Sequence, residues 1–391
     1  MRIPLLLIRR ILRTCFTEAG ACRIRKPASA ALLCLGLSLP LAGCMEYGPV
    51  EPIDITLPGR GLFISNEGNF TYGNASLSYY DITHSALVTN EDGSNDIFYS
   101  ANGIPLGDVA QSAIVRGNTV YVIINNSGVI FAIDRRTAKI TGTIRGLTSP
   151  RYMHFLSDTK AYVTDLFSPY ITIFDPRTCK ITGAIHTGQT PSTGSYNSTE
   201  QMAQYDKWVF VNCWSYSNKI LVIDSDQDKV VHEIELRSIQ PNSLVVDRNG
   251  KLWALTDGGY AGSEYGQTEP CLYRIDAATW RVEQEFVFEK EEYPSELCIN
   301  GAGDVLYFIN DGICKMSVTA AHAPVRPLIP NERRHQIYGL AVDPTSGEIY
   351  VGDAIDFEQP GVVYRYRDTG QSAELVDSFG VGMLPSAFAF K

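Results

Sequence analysis

Short segments of alternating apolar and polar residues recur along the chain from about residue 61 onward, and each is typical of a half-buried β-strand. One phrase repeats: an apolar strand ends in aspartate, a short turn follows, and a second strand begins. The aspartates that end these strands are Asp81, Asp134, Asp175, Asp224 and Asp276. An aspartate in this position favours a turn, because its side chain accepts hydrogen bonds from nearby backbone N–H groups. The pattern therefore predicts a series of β-hairpins.

Two further apolar strands lie upstream of each aspartate-terminated strand, so the repeating unit contains four strands. The unit recurs roughly every 50 residues, which is typical of the blades of a β-propeller. Six complete units are predicted, with innermost strands that begin near Gln111, Arg151, Glu200, Asn242, Ser295 and Tyr338.

The two ends of the repeat region complement each other. The chain ends with one apolar strand, 385–390, that has no partners, and the repeat region opens with three strands, 61–65, 75–81 and 85–89, that lack an inner strand. Pairing them would complete a seventh blade and leave no free sheet edge. We therefore predict an all-β fold, a seven-bladed β-propeller over residues 61–391, whose ring is closed by the C-terminal strand. Two β-sandwiches are the alternative.

The first 60 residues have a different composition. Basic residues dominate the start of the chain, a leucine-rich apolar run covers 28–42, and Leu41-Ala42-Gly43 precedes Cys44. This order predicts a signal peptide over 1–43. Its end resembles the lipobox of bacterial lipoproteins, which implies a lipid on Cys44; a plain signal peptide with a chance cysteine is the alternative. Residues 44–60 contain three prolines and no hydrophobic period, and we interpret them as a lipidated tether.

Charge and motif content argue against several functions. The net charge is −10, and an acidic chain gains no counterion-release energy from a phosphate backbone, so nucleic acid is not an expected partner. The six histidines lack metal-site spacing, and no CxxC, GxSxG or glycine-rich phosphate loop occurs. We therefore predict no catalytic residues, no metal and no cofactor, and hence no enzyme. A loop calcium beside Asp353 and Asp356 stays open.

The candidate binding residues lie in the loops between the second and third strands of the blades. Amides and carboxylates end nearly every second strand, and aromatic residues follow them. Such loops carry function on a rigid frame, although Asn and Asp are also common in turns for local reasons. The predicted ligand-binding residues are Asn66, Asn69, Phe70, Tyr72, Asn125, Asn126, Asp165, Phe167, Tyr170, Trp214, Tyr216, Tyr260, Asp353 and Phe357.

Several segments of this sequence resemble a known family. They are 66–70, 72–80, 149–152, 159–165, 198–202, 212–216 and 256–260. On these segments the chain resembles the YncE-like, DUF5074-type β-propeller surface lipoproteins of Gram-negative bacteria, and most closely the members that bind cobalamin. The resemblance covers about residues 61–391.

That resemblance implies a seven-bladed propeller on the extracellular side of the outer membrane, held there by its lipid anchor. It also implies capture of cobalamin or a related corrinoid as the ligand, and transfer to a TonB-dependent outer-membrane transporter. Met45 is consistent with this location, because an aspartate after the lipidated cysteine resembles an inner-membrane retention signal. A surface propeller that serves only protein interaction or adhesion is the main alternative, and an enzyme is the third.

We expect Trp214→Ala and Tyr216→Ala each to weaken corrinoid binding, because each removes a rigid aromatic contact from a predicted binding loop. Calorimetry with cyanocobalamin measures the affinity, and thermal melting checks that the propeller still folds. Wild-type affinity in both variants, with unchanged melting, would remove this loop from the binding site.

Overall fold

The computed structural model of the chain describes residues 51–188, 197–333 and 335–391. The predicted signal peptide, the predicted lipidation at Cys44 and the first half of the predicted tether lie outside these residues. In the described part of the chain, no helix has the length and hydrophobicity that a bilayer crossing requires.

Seven antiparallel sheets of four strands each make up the fold, as the repeat pattern predicts. The strands of blades 1 to 4, from the axis outward, are β28 (Pro385–Phe390), β1 (Gly61–Asn66), β2 (Ser76–Asp81) and β3 (Ala86–Leu87); β4 (Ala110–Arg116), β5 (Thr119–Ile124), β6 (Val129–Asp134) and β7 (Ile140–Arg145); β8 (Pro150–Phe155), β9 (Ala161–Asp165), β10 (Tyr170–Asp175) and β11 (Lys180–His186); β12 (Thr199–Tyr205), β13 (Trp208–Cys213), β14 (Lys219–Asp224) and β15 (Lys229–Glu235).

The strands of blades 5 to 7, in the same order, are β16 (Pro241–Val246), β17 (Lys251–Thr256), β18 (Cys271–Asp276) and β19 (Val282–Val287); β20 (Ser295–Ile299), β21 (Val305–Ile309), β22 (Gly312–Ser317) and β23 (Ile329–Pro330); β24 (Ile337–Val342), β25 (Ile349–Asp353), β26 (Val362–Asp368) and β27 (Ala373–Gly380). Each innermost strand contacts the innermost strands of both neighbouring blades, so the seven of them surround a central axis.

The ring closes as the two chain ends predict. Strand β28 pairs antiparallel with β1, with Leu62 opposite Phe390 and Ile64 opposite Phe388. The joint also requires close backbone approach, because a Cβ atom built on Gly352 would lie 2.2 Å from the carbonyl oxygen of Pro385. A glycine at this position therefore lets blade 7 pack directly against the closing strand.

The turns after the aspartate-terminated strands have the predicted chemistry. In each of the five hairpins, an aspartate side-chain oxygen accepts a backbone N–H bond from two or three residues further on, at 2.8–2.9 Å. The turn is therefore specified locally, and it fixes the register at which the outer strand of each blade starts.

The apolar core is divided into layers between adjacent blades. Trp253 and Tyr162 are fully buried within these layers. The five cysteines that follow residue 44 are free thiols inside or beside them, and Cys213 and Cys271 are completely buried. Burial raises the pKa of the Cys271 thiol to about 12, so this thiol behaves as a small apolar side chain.

The second half of the predicted tether lies against the propeller. Ile53 and Leu57 donate backbone hydrogen bonds to the carbonyl oxygens of Ser100 and Arg136, at 2.9 and 2.7 Å. The side chain of Leu57 is 2% exposed and belongs to the apolar layer between blades 1 and 2. Leu57 thus extends the apolar layer between blades 1 and 2, with Ile55 packed against it.

A short helix that the strand pattern does not predict lies between blades 1 and 2. Helix α1 covers Ile97–Asn102, begins after Asp96, which caps the N–H groups of Phe98 and Tyr99, and ends at Gly103 in the left-handed conformation. The buried ring of Phe98 lies 5.0 Å from that of Phe131. The helix therefore seals the apolar layer that the short outer strand β3 leaves open.

We expect Gly352→Ala to destabilise the propeller by about 1–3 kcal/mol, because the added methyl group must displace the backbone of the closing strand. Gly380→Ala is the matched control, since a Cβ atom there meets nothing within 4 Å. Urea denaturation of both variants measures the difference. Equal stabilities would show that the joint between blades 7 and 1 has room that the geometry does not indicate.

Candidate functional site

The loops that join the second and third strands emerge on the same side of the disc as the loops that precede the inner strands. We call this side the loop face; its second-to-third loops cover 67–75, 125–128, 166–169, 214–218, 257–270, 310–311 and 354–361. All fourteen predicted ligand-binding residues lie in these loops or at the strand ends directly beside them.

One backbone hydrogen bond, repeated in six blades, holds these loops in place. The residue that follows the second strand donates its N–H to the carbonyl of the residue that precedes the inner strand, at 2.8–3.2 Å. The pairs are Glu67 with Leu384, Asn125 with Val109, Leu166 with Ser149, Trp214 with Ser198, Asp257 with Gln240, and Ala354 with Gln336. The loop face is therefore a rigid frame.

The polar residues that end the second strands are mostly buried and hold the same loops. The Asn125 amide donates to Ser149 Oγ at 2.8 Å and to the carbonyl of Pro150 at 3.1 Å. Asp165 accepts the N–H groups of Thr148 and Ser149.

Asp353 acts in the same way, whereas Asn66 bonds the neighbouring strand β2. Asp353 accepts the N–H of Gln336 at 3.0 Å, and the Asn66 amide donates to Ser78 Oγ at 3.0 Å. Asn66, Asn125, Asp165 and Asp353 are all less than 10% exposed. Ligand contact by these four residues stays a prediction, and the contacts that the structure shows for them are structural.

Loops from blades 7, 1 and 2 form one connected segment of the loop face. The Asn69 amide donates to the carbonyl of Phe357 at 2.7 Å, and the Thr71 N–H donates to the Asp108 carboxylate, which the Asn126 amide also contacts. Three predicted aromatic residues lie in this segment, namely Phe70, Tyr72 and Phe357. Tyr72 is 78% exposed, which makes it a freely available aromatic surface on this face.

Blade 3 contributes two more exposed aromatic side chains. Phe167 and Tyr170 are 41% and 46% exposed, and Tyr170 lies edge-on to the ring of His186 at 5.3 Å.

Aromatic residues from blades 4 and 5 contact one another instead. Trp214 Nε1 donates to Asp257 at 3.2 Å, and the ring of Tyr216 stacks on that of Tyr265 at 4.0 Å. Tyr260 lies in the same blade 5 loop, half-buried. Burial raises the pKa of Asp257 to about 6. Tyr265 is not among the predicted ligand-binding residues, although it lies in the same loop as Tyr260. Replacing Trp214 or Tyr216 by alanine therefore removes loop contacts as well as exposed aromatic area.

The structure also brings together a group of polar residues that the sequence pattern does not predict as a site. Every inner strand has a register shift near its start, where one extra residue bulges out of the pairing. Such bulges redirect side chains. The second residue of each inner strand is polar in all seven blades: Ser386, Gln111, Arg151, Glu200, Asn242, Glu296 and Tyr338. Together with Glu67 we call these residues the channel-mouth ring.

Hydrogen bonds connect members of the ring across blades. Arg151 Nε donates to Glu200 Oε2 at 2.9 Å, and the same guanidinium contacts the Gln111 side chain. The Tyr338 hydroxyl donates to Glu67 Oε2 at 2.7 Å, which joins blade 7 to blade 1.

The electrostatics of the ring are set by burial. Burial, followed by the neighbouring carboxylates of Glu67 and Glu200, raises the pKa of Glu296 to about 8. Burial also raises the pKa of Glu67 and of Glu200, against the opposing effect of Arg151. The carboxyl groups of the ring thus hold their protons to a higher pH than exposed carboxyl groups do.

The comparisons with known proteins concern the family and the fold. The family model for a domain of unknown function, DUF5074, matches residues 60–362. No curated protein matches the chain.

The solved structures that share the fold include the following three. A quinonprotein alcohol dehydrogenase-like protein from Bacteroides thetaiotaomicron is 16% identical, with a TM-score of 0.62, over 84% of this chain and 78% of that one. A Lactobacillus plantarum protein is 14% identical, with a TM-score of 0.60, over 85% and 99%. A putative 6-phosphogluconolactonase from Bacteroides fragilis is 11% identical, with a TM-score of 0.58, over 85% and 98%. At these identities the likeness shows the fold alone.

We expect Glu296→Gln to flatten the pH dependence of stability. The folded-state pKa of Glu296 is about 8 against an ordinary value of 4.5, so between these values the folded chain holds a proton that the unfolded chain releases. Stability therefore falls as pH rises through this window. Each pKa unit corresponds to about 1.4 kcal/mol, so the effect is on the order of a few kcal/mol.

Chemical denaturation at pH 5 and at pH 8.5 measures this difference. Glu291→Gln changes an exposed carboxylate before the same inner strand and is the matched control. It should keep the wild-type difference in the free energy of unfolding between the two pH values. If Glu296→Gln kept the wild-type difference in the free energy of unfolding, Glu296 would already be ionised across this pH range.

Proposed function

Given that this chain belongs to the DUF5074 family, we propose that the loop face of its propeller captures cobalamin or a related corrinoid. The captured ligand would pass to a TonB-dependent transporter in the outer membrane. The proposed role is binding, with the corrinoid as ligand and without a catalytic residue, a metal or a cofactor of the protein's own.

The observation that carries this proposal is the set of exposed aromatic side chains on one rigid face. Tyr72, Phe167 and Tyr170 are all more than 40% exposed, and the loops that hold them are fixed by the repeated backbone hydrogen bonds. Exposed aromatic residues supply contact area at low entropic cost. Corrinoids offer a broad macrocycle, a flat aromatic base and a rim of amides.

Polar groups on the same face could meet the amide groups of a corrinoid. Asp108 and Asn126 are at the surface beside the Tyr72 loop. Because affinity in such a site comes from pre-organised hydrogen bonds and stacking, rigid loops favour tight binding. The resemblance of the loop segments to those of the cobalamin-binding surface protein BtuG supports this choice of ligand.

The proposed location follows from the sequence of the first 60 residues. A lipid on Cys44 would anchor the chain in the outer membrane, on its extracellular side. Residues 51–60 lie along the apolar layer between blades 1 and 2. They would connect the anchor to the propeller. Membrane association would then depend on the lipid alone.

A protein-interaction or adhesion module is the second candidate function. The contacts between Trp214, Tyr216 and their own neighbouring loops favour it, because part of the predicted aromatic set is engaged within the protein. A module of this kind would leave the remaining aromatic residues for a protein partner.

The test is isothermal titration calorimetry of residues 45–391 with cyanocobalamin and with cobinamide, which lacks the lower base. We expect cyanocobalamin to bind with sub-micromolar affinity or better, and the cobinamide comparison to give the contribution of the base. Absence of binding at micromolar concentration would contradict corrinoid capture and favour the interaction module.

In the same assay, Tyr72→Ala and Phe167→Ala should each weaken cyanocobalamin binding by about tenfold or more, as expected for exposed aromatic contacts. Tyr205→Ala is the control, because Tyr205 is an exposed aromatic at the opposite end of its inner strand. Melting temperatures of all three variants separate lost contacts from lost folding. Equal weakening by the control would show that the effect is not specific to the loop face.

A further inference from the structure

A cavity of about 590 Å³ opens on the side of the disc opposite the loop face, and Arg116, His154, Phe155 and Asp158 are among the residues that line it. Strands β4 and β8 begin at the loop face, and the lining residues lie toward or beyond the far ends of these strands. Small-molecule sites commonly have volumes of about 300–1,000 Å³. The cavity is therefore large enough for an organic ligand, and it is separate from the loop face.

The imidazole of His154 has one nitrogen that is already bonded. Its Nε2 lies 2.8 Å from Oε1 of Gln204 in blade 4. The orientation of this amide is fixed, because Gln204 Nε2 donates to the carbonyl oxygen of Asp206 at 2.7 Å. Since an amide oxygen can only accept a hydrogen bond, the ring of His154 carries a proton on Nε2.

The other ring nitrogen of His154, Nδ1, is free to accept a hydrogen bond. Burial lowers the pKa of His154 below its ordinary value of 6.5, so the ring is neutral at pH 7 and Nδ1 keeps its lone pair. Among the described residues, no group donates to Nδ1, and Nδ1 is not one of the buried atoms that lack a partner. A ligand in the cavity can therefore donate an O–H or N–H to this nitrogen.

Arg116 supplies a positive charge to the same cavity. Its guanidinium lies over the ring of Phe155, 5.0 Å from the ring centroid, and its Nη2 donates to Asp158 at 2.8 Å. The side chains of Arg116 and Asp158 are 42% and 85% exposed, and exposed ion pairs of this kind contribute little to stability. A ligand carboxylate can therefore replace Asp158, while the contact with Phe155 keeps the guanidinium in place.

Apolar side chains form another part of the wall. Ile114 and Phe155 pack against the apolar layer between blades 2 and 3. The ring of Tyr121 supports that of Phe155, with the two centroids 5.3 Å apart. Both side chains are thus held in position to offer apolar contact to a ligand.

We propose that this cavity binds a small aromatic carboxylate that carries a hydroxyl group. The carboxylate accepts hydrogen bonds from the guanidinium of Arg116, which can donate two in parallel. The hydroxyl donates to His154 Nδ1, and the aromatic ring contacts Ile114 and Phe155. A flat ring holds its two polar groups at a fixed spacing and loses little conformational entropy when it binds.

This inference is independent of corrinoid capture. It rests on the far ends of the inner strands of blades 2 and 3, whereas the corrinoid proposal rests on the exposed aromatic loops of the loop face. A chain that binds no corrinoid can still bind an aromatic carboxylate in this cavity, and the reverse also holds.

The experiment is calorimetric titration of residues 45–391, which contain the whole closed propeller, with meta-hydroxybenzoate, para-hydroxybenzoate and para-hydroxyphenylacetate. The three probes differ in the spacing between hydroxyl and carboxylate. We expect at least one of them to bind with a Kd below about 1 mM. The same compound without its hydroxyl should bind roughly fivefold more weakly or worse, because His154 Nδ1 then lacks a donor.

Two variants of the exposed ion pair should change the affinity in opposite directions. Arg116→Gln should weaken binding of the best probe roughly tenfold, because the carboxylate loses its cation. Asp158→Asn should strengthen it about two- to threefold, because the competing carboxylate is removed. Arg248→Gln is the matched control and should leave binding unchanged. Arg248 follows the inner strand of blade 5, outside the cavity, and donates to Asp304 at 2.8 Å.

Four outcomes would overturn the proposal, provided that melting shows the variants to be folded. They are no saturable binding of any of the three probes at about 10 mM, equal binding of the compounds with and without the hydroxyl, equal affinities of Arg116→Gln and the Arg248→Gln control, and weaker binding by Asp158→Asn. The second would exclude His154 as the acceptor, and the fourth would show that Asp158 contacts the ligand.

Discussion

The pairing of β28 with β1 is the interaction on which the rest of the structure depends. Without it, blade 1 would lack its inner strand, the edge of β1 would have no pairing partner, and β24 would lose its contact with β28. The pairing joins residues more than 300 positions apart. Closing this one long loop costs conformational entropy, and it closes the whole ring. Gly352 and Gly339 let blade 7 pack against the paired β28, because a side chain on either would collide with the backbone of β28.

Ring closure also explains why the loop face is rigid. Each blade is held by its two neighbours, and within six blades a backbone hydrogen bond ties the second-to-third loop to the loop before the inner strand. Buried side chains such as Asn125 and Asp165 reinforce this tie. Loops that several hydrogen bonds hold at once can present exposed aromatic residues. Such loops lose little conformational entropy when a ligand binds.

The inner strands at the centre of the disc have features that cost stability. An apolar side chain could occupy the second position of each inner strand. Here a bulge at that position presents a polar residue at the channel mouth instead. Burial raises the pKa of Glu296 and leaves Glu200 Oε1 without a partner. Violations of local rules that cluster at one place are expected where a protein has a function to perform.

The sequence by itself determined the blades, their number and their closure. Alternation of apolar residues, turns made by residues such as Asp134 and Asp276, and the complementary chain ends are local signals, and local signals persist in any context. The sequence also placed the aromatic loops on one face, because that follows from strand direction. It did not indicate that Leu57 extends the core, or that Trp214 and Tyr216 are engaged by Asp257 and Tyr265.

The arrangement of the channel-mouth ring depends on the tertiary structure alone. Arg151, Glu200 and Glu296 each look like an isolated polar residue at a strand start, roughly 50 to 100 positions from the next. Aligning the repeats would have shown a polar residue at the second position of every inner strand. That alignment still could not have shown which oxygen lacks a partner, since pairing, burial and pKa depend on distances that exist only after the seven blades close around one axis.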